Sequence, residues 1–254
     1  MNFIINDFNI YYEKFGDKEK TILILPGWGD NRNTFKYIIN FFKKFFTIYI
    51  LDYPGFGKSR FPNRDLNLDD YANLVIDFMK LNNIKNPIII AHSFGGRLAI
   101  KLCGKNIRIN KLIMIDTAGI KPKKKTKLLI KQFVYKLLKK IRYIFPKKYR
   151  EKYINFLINI FGSSDFKELN PNIRKTFINI VNTDLKDKIK NIKEETLIIW
   201  GEKDKDTPIN DAYFLKENIK DSGLVILKGA HHFSYLEAPS YVNTIIYEFL
   251  KEDI

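Results

Sequence analysis

A serine with a small residue two positions to either side, a pair of adjacent histidines and an acidic loop could together turn a hydroxyl group into a nucleophile. The serine is Ser93, in Ala91-His92-Ser93-Phe94-Gly95-Gly96. The apolar run Pro87-Ile88-Ile89-Ile90 precedes it, and the helix-like stretch Arg97-Leu98-Ala99-Ile100-Lys101-Leu102 follows. A strand, a tight turn with serine at its apex and a helix would push the hydroxyl out of a sheet and seat it at a helix N-terminus, where negative charge is favoured. The small side chains at 91 and 95 would let strand and helix approach. Taken alone, the pattern also fits an ordinary glycine-containing turn, and its first position is Ala91 rather than the glycine of G-x-S-x-G.

A nucleophilic serine needs a base, and the base needs an orienting carboxylate. The three histidines are His92, His231 and His232. His92 adjoins Ser93 in the chain, and successive side chains at a sharp turn diverge, which leaves it a poor base. His231 and His232 follow the strand-like run Leu224-Val225-Ile226-Leu227. Carboxylates follow another such run, Leu197-Ile198-Ile199-Trp200, in Gly201-Glu202-Lys203-Asp204-Lys205-Asp206. Both loops leave the carboxyl ends of predicted strands, where open α/β sheets place their chemistry. A rival carboxylate, Asp116, ends the strand-like Leu112-Ile113-Met114-Ile115.

Five ordered motifs resemble those of the α/β-hydrolase-fold serine hydrolases. Pro26-Gly27-Trp28-Gly29 is similar to the family's HG-x-G oxyanion loop, with proline where histidine is usual. Asp52-Tyr53-Pro54-Gly55-Phe56-Gly57-Lys58-Ser59 resembles D-x-P-G-x-G-x-S. The serine turn, the loop Trp200-Gly201-x-x-Asp204-x-x-x-Pro208 and Gly229-Ala230-His231-His232-Phe233 with Glu237 and Pro239 complete the set. The resemblance implies an α/β-hydrolase fold, a mostly parallel central sheet flanked by helices, and the chain order Ser, Asp, His. By its spacing the catalytic residues are Ser93, Asp204 and His232. Asp116 remains the alternative acid, because some members carry the acid there. The resemblance also implies an oxyanion hole from the backbone N–H groups of Trp28 and Phe94.

The elements that must carry these residues alternate along the chain. A hairpin is expected over 3–12, strands near 21–25, 46–51, 87–91, 111–116, 195–200 and 223–228, and helices near 33–44, 69–81 and 238–251. From 120 to 192 helical periodicity continues without a convincing strand. The expectation is therefore a core of 1–119 and 193–254 with a helical cap, 120–192, inserted above the active site. Its apolar stripes, with Phe133, Leu137, Phe156 and Phe177, and Phe233 of the core would line a substrate pocket; they could equally pack the cap onto itself.

Composition bounds the partners. The 254 residues are 45% hydrophobic, enough for a sizeable core. No run approaches a membrane span, the N-terminus lacks a signal-peptide pattern, and the lone Cys103 has no intramolecular disulfide partner; the default expectation is cytoplasmic. No cofactor or metal cluster is read from the sequence. The net charge is +16, which fits either an anionic partner or a biased composition rich in Lys, Asn and Ile. Segment 121–152 is strongly basic, with Glu151 its one acid. A solvated face and weak association with an anionic membrane surface both fit it; no nucleic-acid motif accompanies the charge. Arg97 is expected to anchor its helix by hydrogen bonds.

The function expected is hydrolysis of a carboxylic ester or related acyl compound with an apolar portion, carboxylesterase-like (EC 3.1), through an acyl-enzyme. Carbon–carbon bond or amide hydrolysis by the same residues is an alternative, as is a low-turnover ligand-binding or membrane-surface protein. The serine argues against haloalkane dehalogenase and epoxide hydrolase chemistry, which in this fold typically use an aspartate nucleophile. Oligomeric state is not legible.

Overall fold

Isoleucine-rich runs bounded by glycine, proline, asparagine and lysine build the strands, because β-branched side chains suit a pleated, buried surface. The computed structural model describes residues 1–5, 7–105, 107–121, 135, 137–161 and 171–254. Its strands are β1 (Asn2–Ile5), β2 (Phe8–Phe15), β3 (Thr21–Leu25), β4 (Thr47–Leu51), β5 (Ile88–His92), β6 (Lys111–Ile115), β7 (Glu195–Gly201) and β8 (Ser222–Leu227). They form one sheet in the order β1-β2-β4-β3-β5-β6-β7-β8. The β1–β2 hairpin and the β2–β4 pair are antiparallel, and the rest of the sheet is parallel. The mostly parallel sheet and the strand positions match the expectation from sequence.

Parallel strands are covered on both faces, so their residues read as continuous apolar runs whose alternation assigns each side chain to a face. Leu23, Leu25, Ile89, Ala91, Leu112 and Met114 enter one core cluster; Ile22, Ile24, Ile88, Ile90, Ile113 and Ile115 enter the other. Helices α2 (Leu68–Leu81) and α3 (Phe94–Cys103) cover the first face, and α1 (Lys36–Phe42) the second. Leu74, Val75, Phe78 and Met79 recur at helical spacing along α2 and are buried, as are Phe35, Ile38, Ile39 and Phe42 around α1. Helix α2 begins at a capping box in which Asn67 and Asp70 satisfy each other's backbone N–H groups.

Further helices are α4 (Lys147–Phe161), α5 (Arg174–Val181), α6 (Lys186–Ile189), α7 (Ile209–Asn218), α8 (Ser234–Glu237) and α9 (Pro239–Leu250), with 3-10 turns at Arg142–Ile144 and Pro171–Ile173. The chain divides into two compact units, Met1–Lys121 with Asn179–Ile254, and Pro122–Ile178. Residues 120–121 and 179–192, at the ends of the interval expected as the cap, belong to the first unit. There Ile180, Leu185, Ile189 and Ile192 enter the core, and the Arg97 guanidinium donates to the Thr183 carbonyl at 2.7 Å. That bond is the anchoring role expected for Arg97. The second unit holds α4, in which Leu157 and Ile158 are buried while Phe156 and Ile160 are exposed. Phe133 lies outside the described residues.

Candidate active site

The strand register brings the functional loops to one edge. Leu25 lies beside Ala91, His92 beside Ile115, Ile115 beside Ile199 and Gly201 beside Leu227, so β3 and β5 to β8 end together. Chains leaving those ends carry Trp28, Ser93, Asp116, Asp204 and His232.

Ser93 joins β5 to α3 with φ +47°, a conformation that disfavours side chains and persists where surrounding structure holds it. Its N–H donates to the Ile115 carbonyl, and its own carbonyl accepts from Gly96 and Ala118. Gly95 makes the approach possible: a Cβ there would fall 1.9 Å from the Leu25 carbonyl oxygen and 2.8 Å from that of Pro26. Helix α3 therefore lies against the end of β3 and the loop bearing Trp28. The Phe94 ring packs edge-on to Trp28, Tyr53 and Tyr71, at 5.2, 5.3 and 5.3 Å between centroids. Phe94 is the first residue of α3, where a backbone N–H has no partner within the helix. The Asp52 loop buttresses this corner. Its carboxylate accepts from the Lys58 N–H, the Ser59 hydroxyl donates to the Asp52 carbonyl, and Phe56 packs on Trp28 at 4.8 Å.

His232 bridges the serine and an acid. Its Nε2 lies 3.0 Å from the Ser93 hydroxyl oxygen, and its Nδ1 lies 2.8 Å from Asp204 Oδ2. An ionised carboxylate only accepts, so Nδ1 carries the proton and Nε2 is left to accept from the serine. Asp204 is itself held from several sides. Oδ1 accepts from the Asp206 and Thr207 N–H groups, and Oδ2 accepts from the Thr207 hydroxyl at 2.6 Å. Burial pushes the Asp204 carboxyl up, but the bonds from His232 and Thr207 outweigh it and hold it below the usual aspartate range. Burial alone would lower the His232 pKa; the hydrogen bond to Asp204, the Asp204 charge, and then Asp116 and Asp206, bring it above the ordinary histidine value.

The neighbouring candidates are turned elsewhere. His231 is exposed, and Glu237 takes its backbone N–H at 2.9 Å and its ring Nδ1 at 3.1 Å. The Glu237 of the sequence motif thus separates the two histidines. Asp116 is fully buried, but its carboxylate accepts from the Gly201 N–H, the Ser234 N–H and the Ser234 hydroxyl at 2.7, 3.1 and 2.6 Å. Burial raises its carboxyl to about 6. Its bonds tie together the loops after β6, β7 and β8. The acid and base loops also meet directly: a Cβ at Gly201 would fall 2.2 Å from the His231 carbonyl oxygen, and the Lys203 N–H donates to Ala230.

Sequence reasoning missed two supports. Thr207 holds Asp204 from three residues along, a local side-chain bond that Asp204-x-x-Thr207 could have signalled. His92, dismissed as a base, is almost wholly buried behind the site. Its Nε2 lies 2.9 Å from the His232 carbonyl oxygen, its Nδ1 lies 3.1 Å from Asp30 Oδ2, and its ring packs on that of His232 at 4.9 Å. A carbonyl only accepts, so Nε2 is the nitrogen that donates to it. No spacing in the chain signals these contacts, which span 62 and 140 residues.

Among the residues expected in a pocket, Phe233 packs beside His92 and His232, at 5.1 and 5.5 Å. Leu137 and Phe156 are exposed and Phe177 half-buried in the second unit. Ligand atoms of Asp204, Asp206 and His232 lie within 4.8 Å of one another, a grouping the sequence did not suggest. Asp204 and His232 already bond to each other, and both Asp204 oxygens accept backbone or hydroxyl protons, so the cluster is a hydrogen-bond relay. Among the described residues no helix is long and apolar enough to cross a membrane.

Comparison with known proteins agrees with this architecture. A family profile described as the alpha/beta hydrolase fold matches residues 20–180. The chain is 26% identical over 259 residues to the mouse (Mus musculus) serine hydrolase BPHL, covering 97% of this chain and 84% of that one. It is 24% identical over 269 residues to a 2-hydroxy-6-oxo-6-phenylhexa-2,4-dienoate hydrolase of Comamonas testosteroni, covering 98% and 93%. The crystal structure of MGS-M2, an alpha/beta hydrolase enzyme from a deep-sea metagenome library of the Medee basin, superimposes with a TM-score of 0.76 at 20% identity, over 99% of this chain and 97% of that one.

Proposed function

The chain belongs to the alpha/beta hydrolase fold family, and from that premise we propose that it is a serine hydrolase cleaving a carboxylic ester or related acyl compound through an acyl-enzyme. The observation that carries the reading is the continuous hydrogen-bond relay from Asp204 through His232 to Ser93. His232 Nε2 takes the serine proton as Oγ attacks the carbonyl carbon. The charge that develops on the carbonyl oxygen is met by the N–H groups of Phe94 and Trp28 and favoured by the N-terminus of α3. His232, now an imidazolium steadied by Asp204, gives its proton to the departing alkoxide. Water, deprotonated by the same nitrogen, then releases the acid.

The test is covalent labelling with a fluorophosphonate, followed by rates on p-nitrophenyl esters of graded acyl length. Wild type should label, and Ser93→Ala should not. An unlabelled wild type, or labelling that persists in Ser93→Ala, refutes the proposal. A second reading, carbon–carbon bond hydrolysis by the same relay, is favoured by the similarity to the Comamonas enzyme. It predicts turnover of a vinylogous diketone acid that exceeds that of every ester in the series.

A further inference from the structure

In the second unit, residues 143–149 form a run of seven, Tyr143-Ile144-Phe145-Pro146-Lys147-Lys148-Tyr149, all exposed. Ile144 is 81% exposed, Tyr143 62% and Tyr149 50%. Soluble proteins expose isolated apolar side chains routinely, but a contiguous set marks a contact surface. The run is also held in shape. The Phe145 N–H donates to the Arg142 carbonyl, the Tyr149 N–H to that of Pro146, and the Arg150 guanidinium to that of Phe145 at 3.0 Å. The Phe145 ring packs on Tyr153 at 4.9 Å, and the Tyr153 hydroxyl donates to the Leu138 carbonyl at 3.0 Å. The corner between the 3-10 turn and α4 is thus built to present Ile144 outward.

Along the chain on both sides of that apolar tip the charge is strongly positive. Residues 137–152 carry Lys139, Lys140, Arg142, Lys147, Lys148, Arg150 and Lys152 against the single acid Glu151. Three occupants could meet such a surface. A second copy would bring the same cations and be repelled. A nucleic acid would satisfy the lysines, but its phosphate backbone offers nothing to an outward-pointing isoleucine. A bilayer with anionic headgroups answers both features at once. Its surface attracts the cations, and its acyl boundary takes the apolar tip, with the tyrosines at headgroup level.

We propose that the corner at residues 141–149, with its flanking lysines, is an anchoring surface for an anionic lipid bilayer. The full chain should sediment with vesicles of equal parts phosphatidylserine and phosphatidylcholine, should not sediment with phosphatidylcholine alone, and should be released by raised salt. Ile144→Asp should weaken binding about tenfold or more by removing the inserted side chain. Lys147→Glu with Lys148→Glu should weaken it about 25-fold or more, at roughly fivefold per cation near the surface. Circular dichroism and thermal unfolding should match wild type, since the altered residues are exposed. Equal binding to both vesicles, or unchanged binding by Ile144→Asp, overturns the proposal. So does tighter retention of the chain by polyuridylate that depends on Lys147 and Lys148 but not on Ile144.

Discussion

Replacing Asp204 by asparagine tests the relay at its most exacting point. The substitution keeps size and shape, so the outcome depends on which end of the amide faces His232. The structure decides that. The backbone N–H groups of Asp206 and Thr207, at 2.8 and 3.0 Å, both point at Oδ1 and need an acceptor there. The amide oxygen must take that place, which turns the NH2 group toward His232 Nδ1, 2.8 Å from the replaced Oδ2. Two donors cannot face each other, so the imidazole gives up its Nδ1 proton and carries it on Nε2. Nε2 then donates toward Ser93 and can no longer accept its proton. The expected loss is the one known for a base held in the wrong tautomer, about four orders of magnitude in kcat, or roughly 5.5 kcal/mol of barrier. The assay is hydrolysis of the best p-nitrophenyl ester at neutral pH, with the fluorophosphonate labelling rate as a second readout of Ser93 reactivity. Asp116→Asn is the control: its carboxylate binds Gly201 and Ser234, so it should lower stability more than labelling rate. Retention of activity within about tenfold in Asp204→Asn would refute the reasoning, and a large loss in Asp116→Asn alone would transfer the acid's role.

Four further outcomes follow from the same structure. The labelling rate should fall with acid through a midpoint above 6.5, because Asp204 raises the His232 pKa and only the neutral imidazole accepts a proton; a midpoint at or below 6.5 contradicts the pairing. The pair's contribution to stability runs the other way for this histidine, fully present below its unfolded pKa and lost as pH rises through the raised folded value, which pH-dependent denaturation can measure. His92→Ala removes the N–H that holds the His232 carbonyl and should cost about 2 kcal/mol of unfolding free energy, with kcat falling more than KM rises; unchanged kcat at lowered stability would reduce His92 to packing. Gly95→Ala drives a Cβ into backbone at Leu25, which has little room to yield, and should cost about 3 kcal/mol or more in a urea titration.

Much of the frame was legible because its signals are local. Short Ile- and Leu-rich runs announce the parallel strands, and the period of Leu74, Val75, Phe78 and Met79 announces the buried face of α2. A serine between Ala91 and Gly95 announces a turn that only small neighbours permit, and the structure gives the reason in the Leu25 carbonyl. The stripes of 148–161 were less informative. Tyr149, Tyr153, Phe156, Leu157 and Ile160 share a helical period, but of these only Leu157 is buried, beside Ile158, while Tyr149, Phe156 and Ile160 are exposed. Period locates a face without saying whether anything covers it.

The order of serine, acid and histidine, and the strand ends that carry them, belong to the sequence, since each motif is a few residues long and written in backbone preferences. Which side chain does what belongs to the tertiary structure. His231 and His232 differ in the chain by one position, and it is Glu237 that turns the first outward while His92 and Asp204 hold the second in place. Asp116 and Asp204 each lie in a loop that follows a strand, and only the packed loops give one to Ser234 and the other to the imidazole. Hydrogen bonds of this kind join groups far apart in the chain, and their geometry exists only once the sheet has closed its register.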